Sequence, residues 1–253
     1  MICGHGSREA GAEREYLALV AEVALQLPQF RVEAGFLEFG VPTIHDGLEK
    51  LHRAGCTDIV VLPGTLFSGG HSLRDIPAIL RDFAARFPDI RLRYGRAFDI
   101  DATLVKAACA RMFDAIEVAS GIIAPAQTAL LVAGRGASDG AVLSTMQTLT
   151  RLIQNETQFS HYQTAYVGIA APRFPDALEQ IAAQPFRRVV VLPYFLFGGM
   201  LLKRIYAETD YIAARYPATQ FVKASHLGNH PYVLESFVAR IRETSTAGTV
   251  IND

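Results

Sequence analysis

Two histidines of this chain stand in settings that suit chemistry. His5 lies between glycines in Gly4-His5-Gly6-Ser7-Arg8, and His71 closes Leu66-Phe67-Ser68-Gly69-Gly70-His71. A neutral imidazole binds first-row metal ions and exchanges protons near neutral pH. Flanking glycines remove side-chain bulk, so a large ligand can approach backbone and ring together. Glu38, in Gly35-Phe36-Leu37-Glu38, adds a carboxylate at the end of an apolar run. Two imidazoles and one carboxylate suit iron, cobalt, nickel or zinc. A closed structural zinc site wants a fourth protein ligand, and none is evident nearby, so the expected site is open, with spare coordination positions. His45 and His52 fall on an exposed helix face, and His226 and His230 follow the last strand of the second half. Ordinary solvated or turn roles are expected for these four.

The surrounding pattern alternates strands and helices. Apolar residues recur at helical spacing over Ala10 to Leu27, and Pro28 ends the run. Arg31 to Phe39 reads as a strand, Pro42 to Ala54 as a helix, Ile59 to Leu62 as a strand and Leu73 to Phe87 as a helix. A strand over Arg91 to Tyr94 and a helix over Ala102 to Ala119 follow. In an open parallel sheet, ligands bind beyond the carboxyl ends of the strands. His5, Glu38 and His71 follow strands one, two and three, so all three are expected at one edge.

The pattern then restarts at a constant spacing of 130 residues. Gly4 and Gly6 match Gly134 and Gly136, Pro42 matches Pro172, and Val60-Val61-Leu62-Pro63 match Val190-Val191-Leu192-Pro193. Leu66-Phe67 match Leu196-Phe197, Gly69 matches Gly199, and Arg74 matches Arg204. Two tandem α/β domains are expected, residues 1–122 and 123–253, each a parallel sheet flanked by helices. The differences between the copies matter more. His5 falls opposite Arg135, Glu38 opposite Gly168 and His71 opposite Leu201. Residues that the fold needs persist in both copies, whereas residues that chemistry needs can persist in one. That asymmetry singles out His5, Glu38 and His71.

Cationic groups cluster at the same turns. Ser7 and Arg8 lead into a helix N-terminus, whose free N–H groups favour anions. Arg74, Lys203 and Arg204 stand just after the two glycine turns. Together they are candidates for holding carboxylates. A formal charge of −1 gives no reason to expect a nucleic-acid or anionic-membrane surface. The three cysteines, Cys3, Cys56 and Cys109, fit neither a disulfide framework nor a zinc ribbon, which suits a reducing cytoplasm. No basic and apolar leader precedes the first motif, and the uncharged stretch Gly121 to Gly134 is too short to span a bilayer. Only three residues precede Gly4, so the natural start is expected upstream. The tail after Ala247 is expected to fray.

With these residues in view, the chain resembles the class II tetrapyrrole chelatases, in their long two-domain sirohydrochlorin form. The resemblance rests on Gly4-His5-Gly6-Ser7-Arg8, on Gly35-Phe36-Leu37-Glu38, and on Leu66 to His71 followed by Asp75-Ile76-Pro77. Gly134-Arg135-Gly136 and Leu192 to Phe197 resemble the degenerate second copy, with Ala137 where a serine is expected. The resemblance implies a lyase that inserts Co²⁺ or Fe²⁺ into sirohydrochlorin without ATP, in cobalamin or sirohaem biosynthesis. It implies a cleft between two similar domains and no permanently bound cofactor. His5, His71 and Glu38 would be the metal-binding and catalytic groups; Glu38 would either complete the coordination or accept a proton. Ser7, Arg8, Gly69, Gly70, Arg74, Lys203 and Arg204 would meet the polycarboxylate macrocycle. A chain carrying its own cleft has no need to pair, so a monomer is expected, with a homodimer as the alternative. The competing function is a non-catalytic metal or tetrapyrrole carrier. Phosphotransfer through His5 is disfavoured, because no P-loop lysine pattern is present and Gly4 stands where histidine phosphatases place an arginine.

Overall fold

The structure is a computed structural model and describes residues 1–251. In chain order the elements of the first repeat are β1 (Ile2–Gly4), α1 (Ala10–Gln26), β2 (Ala34–Phe36), α2 (Ile44–Arg53), β3 (Asp58–Pro63), a π-helical turn (His71–Asp75), α3 (Ile76–Arg86), β4 (Arg91–Tyr94) and α4 (Ala102–Glu117). The second repeat supplies β5 (Thr128–Gly134), α5 (Gly140–Asn155), β6 (His161–Tyr166), α6 (Phe174–Ala182), β7 (Arg188–Pro193), α7 (Met200–Ala213), β8 (Gln220–Lys223) and α8 (Pro231–Ala247), and β9 (Thr249–Val250) follows. Among the described residues the sheets run β2-β1-β3-β4-β9 and β6-β5-β7-β8. Every pairing is parallel except β4 with β9. The expected α/β class with two parallel sheets is what the chain adopts.

Burial explains the architecture. All seven residues of β5 are buried, and a strand covered on both faces needs helices above and below it. One core of the first sheet joins Cys3, Val61 and Leu92 to Ile44 and Leu48 of α2 and to Leu80 and Phe83 of α3. Each such side chain contributes about 1.5–3 kcal/mol on leaving water. Tyr16 of α1 ties helix to sheet, donating its hydroxyl to the Ile2 carbonyl at 2.7 Å. Helix α2 opens with a reciprocal cap: the Thr43 hydroxyl accepts from Asp46 N, and Thr43 N donates to the Asp46 carboxylate. That cap fixes the chain directly after the loop that carries Glu38.

The packing does not follow the expected boundary near residue 122. The compact units are Met1–Asp99 together with the segment from Val233 on, and Ile100–Tyr232. Helix α4 therefore packs with α5, β7 and β8, whereas α8 belongs to the first unit. There the Phe237 ring lies 4.7 Å from Phe98, and the Arg240 guanidinium sits over the same ring at 5.5 Å. The two helices hold equivalent places in their repeats. Exchanging them leaves the hydrophobic pattern of either repeat unchanged, so spacing alone could not reveal it.

Three local expectations also change. Strand β2 is shorter than Arg31 to Phe39 and ends at Phe36, which puts Glu38 in the turn beyond it. The helix after Gly70 begins as a π turn. The tail expected to fray instead forms β9, pairing Thr249 with Tyr94 and Val250 with Arg93; Asn252 and Asp253 lie outside the described residues.

Candidate metal centre

The loop bearing His71 is tied at several points. Asp99 accepts two hydrogen bonds from Ser68, from its N–H at 2.8 Å and its hydroxyl at 2.6 Å. The buried Ser72 hydroxyl accepts from Gly69 N at 3.0 Å. Tyr94 donates to the Ser72 carbonyl at 2.7 Å. Burial pushes the Tyr94 hydroxyl far above its ordinary range, so it remains a donor. The Ile76 N–H reaches back to the His71 carbonyl, the wide spacing of a π turn, which is a frequent feature of functional sites. One turn along from His71, Asp75 Oδ2 lies 2.7 Å from His71 Nδ1. That contact holds the proton on Nδ1 and leaves the Nε2 lone pair directed into the site.

The second imidazole comes from the turn after β1. Glu38 N donates to the His5 carbonyl at 3.0 Å, so the two loops are stitched backbone to backbone. Gly6 makes this approach possible: its φ is +96°, and a Cβ there would lie 1.6 Å from the Glu38 carbonyl oxygen. The second unit keeps the stitch, with Gly168 N donating to the Arg135 carbonyl at 2.8 Å. The turn is therefore common scaffold, and the first copy alone adds ligands to it.

His5 Nε2 lies 3.2 Å from His71 Nε2 and 3.3 Å from Glu38 Oε1. All three ligand atoms fall within 4.8 Å of one another. The rings meet edge to face, 88° apart with centroids 4.5 Å apart. Bonds of about 2.1 Å from one ion to both Nε2 atoms would subtend about 100°, suitable for neighbouring positions around a tetrahedral or octahedral ion. Side-chain exposures of 29% for His5, 41% for Glu38 and 43% for His71 leave the cluster open to solvent. His5 Nδ1 lies 3.3 Å from the Gly6 carbonyl, which can only accept, so a proton there turns the His5 Nε2 lone pair toward His71 and Glu38, where a metal ion would sit. Cys3 is no competing ligand: burial pushes its thiol up to about 12, and thiols bind metals as thiolates.

Other candidate residues are placed less uniformly. The Ser7 hydroxyl accepts from Glu9 N at 3.1 Å and shapes the entry to α1. The Arg8 guanidinium sits 4.8 Å above the Phe39 ring. Arg74 folds over Gly70, with a guanidinium nitrogen 2.8 Å from where a Cβ on that glycine would lie, while Gly69 has open space around it. Lys203 and Arg204 lie on α7 in the second unit, where Arg204 pairs with Glu208 at 2.7 Å. Asp75, Asp99 and Phe39 received no role from the sequence. The four-residue step from His71 could have found Asp75. Nothing local marks Asp99, which reaches Ser68 across 31 positions. Replacing Asp75 with Asn is expected to weaken metal binding about 10-fold or more, within the range for groups that orient metal-bound imidazoles; titration with Co²⁺ checks this, and unchanged affinity would remove Asp75 from the site.

The family model of CbiX matches residues 1–115 and 129–244, both repeats. A sirohydrochlorin ferrochelatase of Bacillus subtilis is 31% identical, over 97% of this chain and 91% of its own. A sirohydrochlorin cobaltochelatase of Priestia megaterium is 30% identical, over 91% of this chain and 74% of its own. The solved structure of SirB from Bacillus subtilis with Fe³⁺ superposes with a TM-score of 0.85 at 30% identity, covering 96% of this chain and 94% of that one.

Proposed function

Since the chain belongs to the CbiX family, we propose that it is a sirohydrochlorin chelatase, inserting Co²⁺ or Fe²⁺ into the macrocycle without ATP. The observation that carries this reading is the meeting of His5, Glu38 and His71 in the first unit, with their ligand atoms within 4.8 Å.

Metal insertion replaces two pyrrole N–H protons with one divalent ion, so the site must deliver a partly stripped ion and remove two protons. His5 and His71 hold the ion through Nε2, and Glu38 closes a third position, leaving the others to water and then to pyrrole nitrogens. As the nitrogens take over, the ligands are released one at a time. Glu38 and the freed imidazole of His5 then serve as proton acceptors, passing protons to the solvent that reaches the cluster. Asp75 keeps His71 aimed throughout. Ser7, Arg8, Gly69, Gly70 and Arg74, on the turns that carry the cluster, meet the macrocycle's carboxylates; Lys203 and Arg204, on α7, are carboxylate-binding candidates of the second unit. One chain carries the whole triad, so a monomer suffices. Among the described residues, no helix is long and apolar enough to cross a membrane.

The test is anaerobic absorbance spectroscopy of sirohydrochlorin with Co²⁺, Fe²⁺ or Ni²⁺ at buffered free concentrations. A chelatase raises the metallation rate far above the spontaneous one. A carrier binds metal or macrocycle and leaves that rate unchanged, which would overturn the reading.

A further inference from the structure

Among the described residues, two that are not glycine have positive φ, Phe39 at +58° and Asp99 at +50°. Such backbone costs about 1–3 kcal/mol where the side chain is bulky, and it persists where function or surrounding structure holds it. Asp99 has its reason in the two hydrogen bonds from Ser68. Phe39 has no comparable internal reason: half of its surface faces solvent. Its counterpart Ile169 does not share the positive φ.

What the strained backbone does achieve is placement. Phe39 directly follows Glu38, and its ring lies 6.5 Å from the His5 ring at an interplanar angle of 20°. The Arg8 guanidinium stands 4.8 Å from the Phe39 centroid. Val41, on the same loop, is 75% exposed, and Leu73, two residues after His71, is 65% exposed. Exposed apolar groups beside a charged cluster are costly to leave bare and suit a ligand that is flat and apolar across its face but anionic at its rim.

We infer that Phe39 is a substrate-positioning residue: the face of the tetrapyrrole rests on its ring, and Arg8 behind that ring takes a rim carboxylate. This rests on the chelatase reading above and adds to it a contact that sets how the macrocycle lies over the Nε2 atoms of His5 and His71. The ring binds no metal and carries no proton, so its removal separates macrocycle binding from metal binding.

The experiment uses the full chain. Phe39→Ala is expected to weaken sirohydrochlorin binding at least fivefold and raise KM in proportion, with Co²⁺ affinity within twofold of the parent. Phe39→Asn, which tolerates positive φ, guards against a backbone effect and is expected to match Phe39→Ala. Because the chain contains no tryptophan, Phe39→Trp restores an aromatic face and introduces a single reporter. Bound macrocycle is expected to shield that indole from acrylamide, whereas an indole introduced by Leu25→Trp, on the exposed side of α1, stays accessible. Unchanged macrocycle affinity in Phe39→Ala and Phe39→Asn, or an indole at position 39 that acrylamide reaches equally with macrocycle bound, overturns the inference and leaves the chelatase reading standing. A parent protein that neither binds nor metallates sirohydrochlorin overturns the chelatase reading itself.

Discussion

Replacing His5 with alanine is expected to cut metal insertion into sirohydrochlorin at least tenfold while leaving the fold intact. His5 Nε2 is the atom that faces both other ligands, at 3.2 Å from His71 and 3.3 Å from Glu38. Without it the remaining imidazole and carboxylate lose their common neighbour, and the ion loses one of three protein bonds. Tenfold corresponds to about 1.4 kcal/mol of transition-state stabilisation, a modest demand for a metal ligand. His71→Ala is expected to behave alike. Arg135→Ala, at the matching turn of the second unit, is expected to leave the rate within about twofold of the parent. Initial rates of the absorbance change, with circular dichroism as the folding control, decide the matter; parent-like rates in both histidine variants would end the assignment.

The other large effect is expected at a residue with no chemistry of its own. Gly6→Ala would place a Cβ 1.6 Å from the Glu38 carbonyl oxygen, at a φ of +96° that alanine rarely adopts. Neither atom belongs to a flexible side-chain end, so backbone must move, and what moves carries Glu38 away from His5. A loss of about 1–3 kcal/mol from the strained φ alone would lower Tm by about 2–4 °C per kcal/mol. Co²⁺ binding should fall with it. Gly69→Ala is the contrast: open space surrounds that position and its φ is not in the left-handed region, so stability should hold. Thermal melts and Co²⁺ titrations of the two variants provide the comparison, and a Gly6→Ala protein with parent-like melting and affinity would contradict the account of the turn.

The triad was legible in the sequence because the chain contains its own control. Arg135, Gly168 and Leu201 show what the three positions hold when only the turn is needed. The backbone bonds from Glu38 to His5 and from Gly168 to Arg135 confirm that the turn is shared. What escaped notice depends on distance in the chain or on backbone geometry. Asp99 meets Ser68 only because β4 runs beside β3 and returns the chain there. Phe39 reads as one more residue of an apolar strand, since no periodicity announces a positive φ. The β9 pairing was hidden for another reason: two residues are too few for any pattern to register.

The assignment of α8 to the first unit sets an order of events during synthesis. The loops bearing His5, Glu38 and His71 leave the ribosome early, yet Phe98 gains Phe237, and Thr249 and Val250 reach β4, only after the second repeat has emerged. A nascent chain halted near residue 122 would hold every metal ligand on a sheet still missing part of its covering, while α4 waited for β7 and β8. Fragments cut at the sequence repeat should therefore be less soluble than the whole chain, because Phe98 and β4 would lack the partners that α8 and β9 bring.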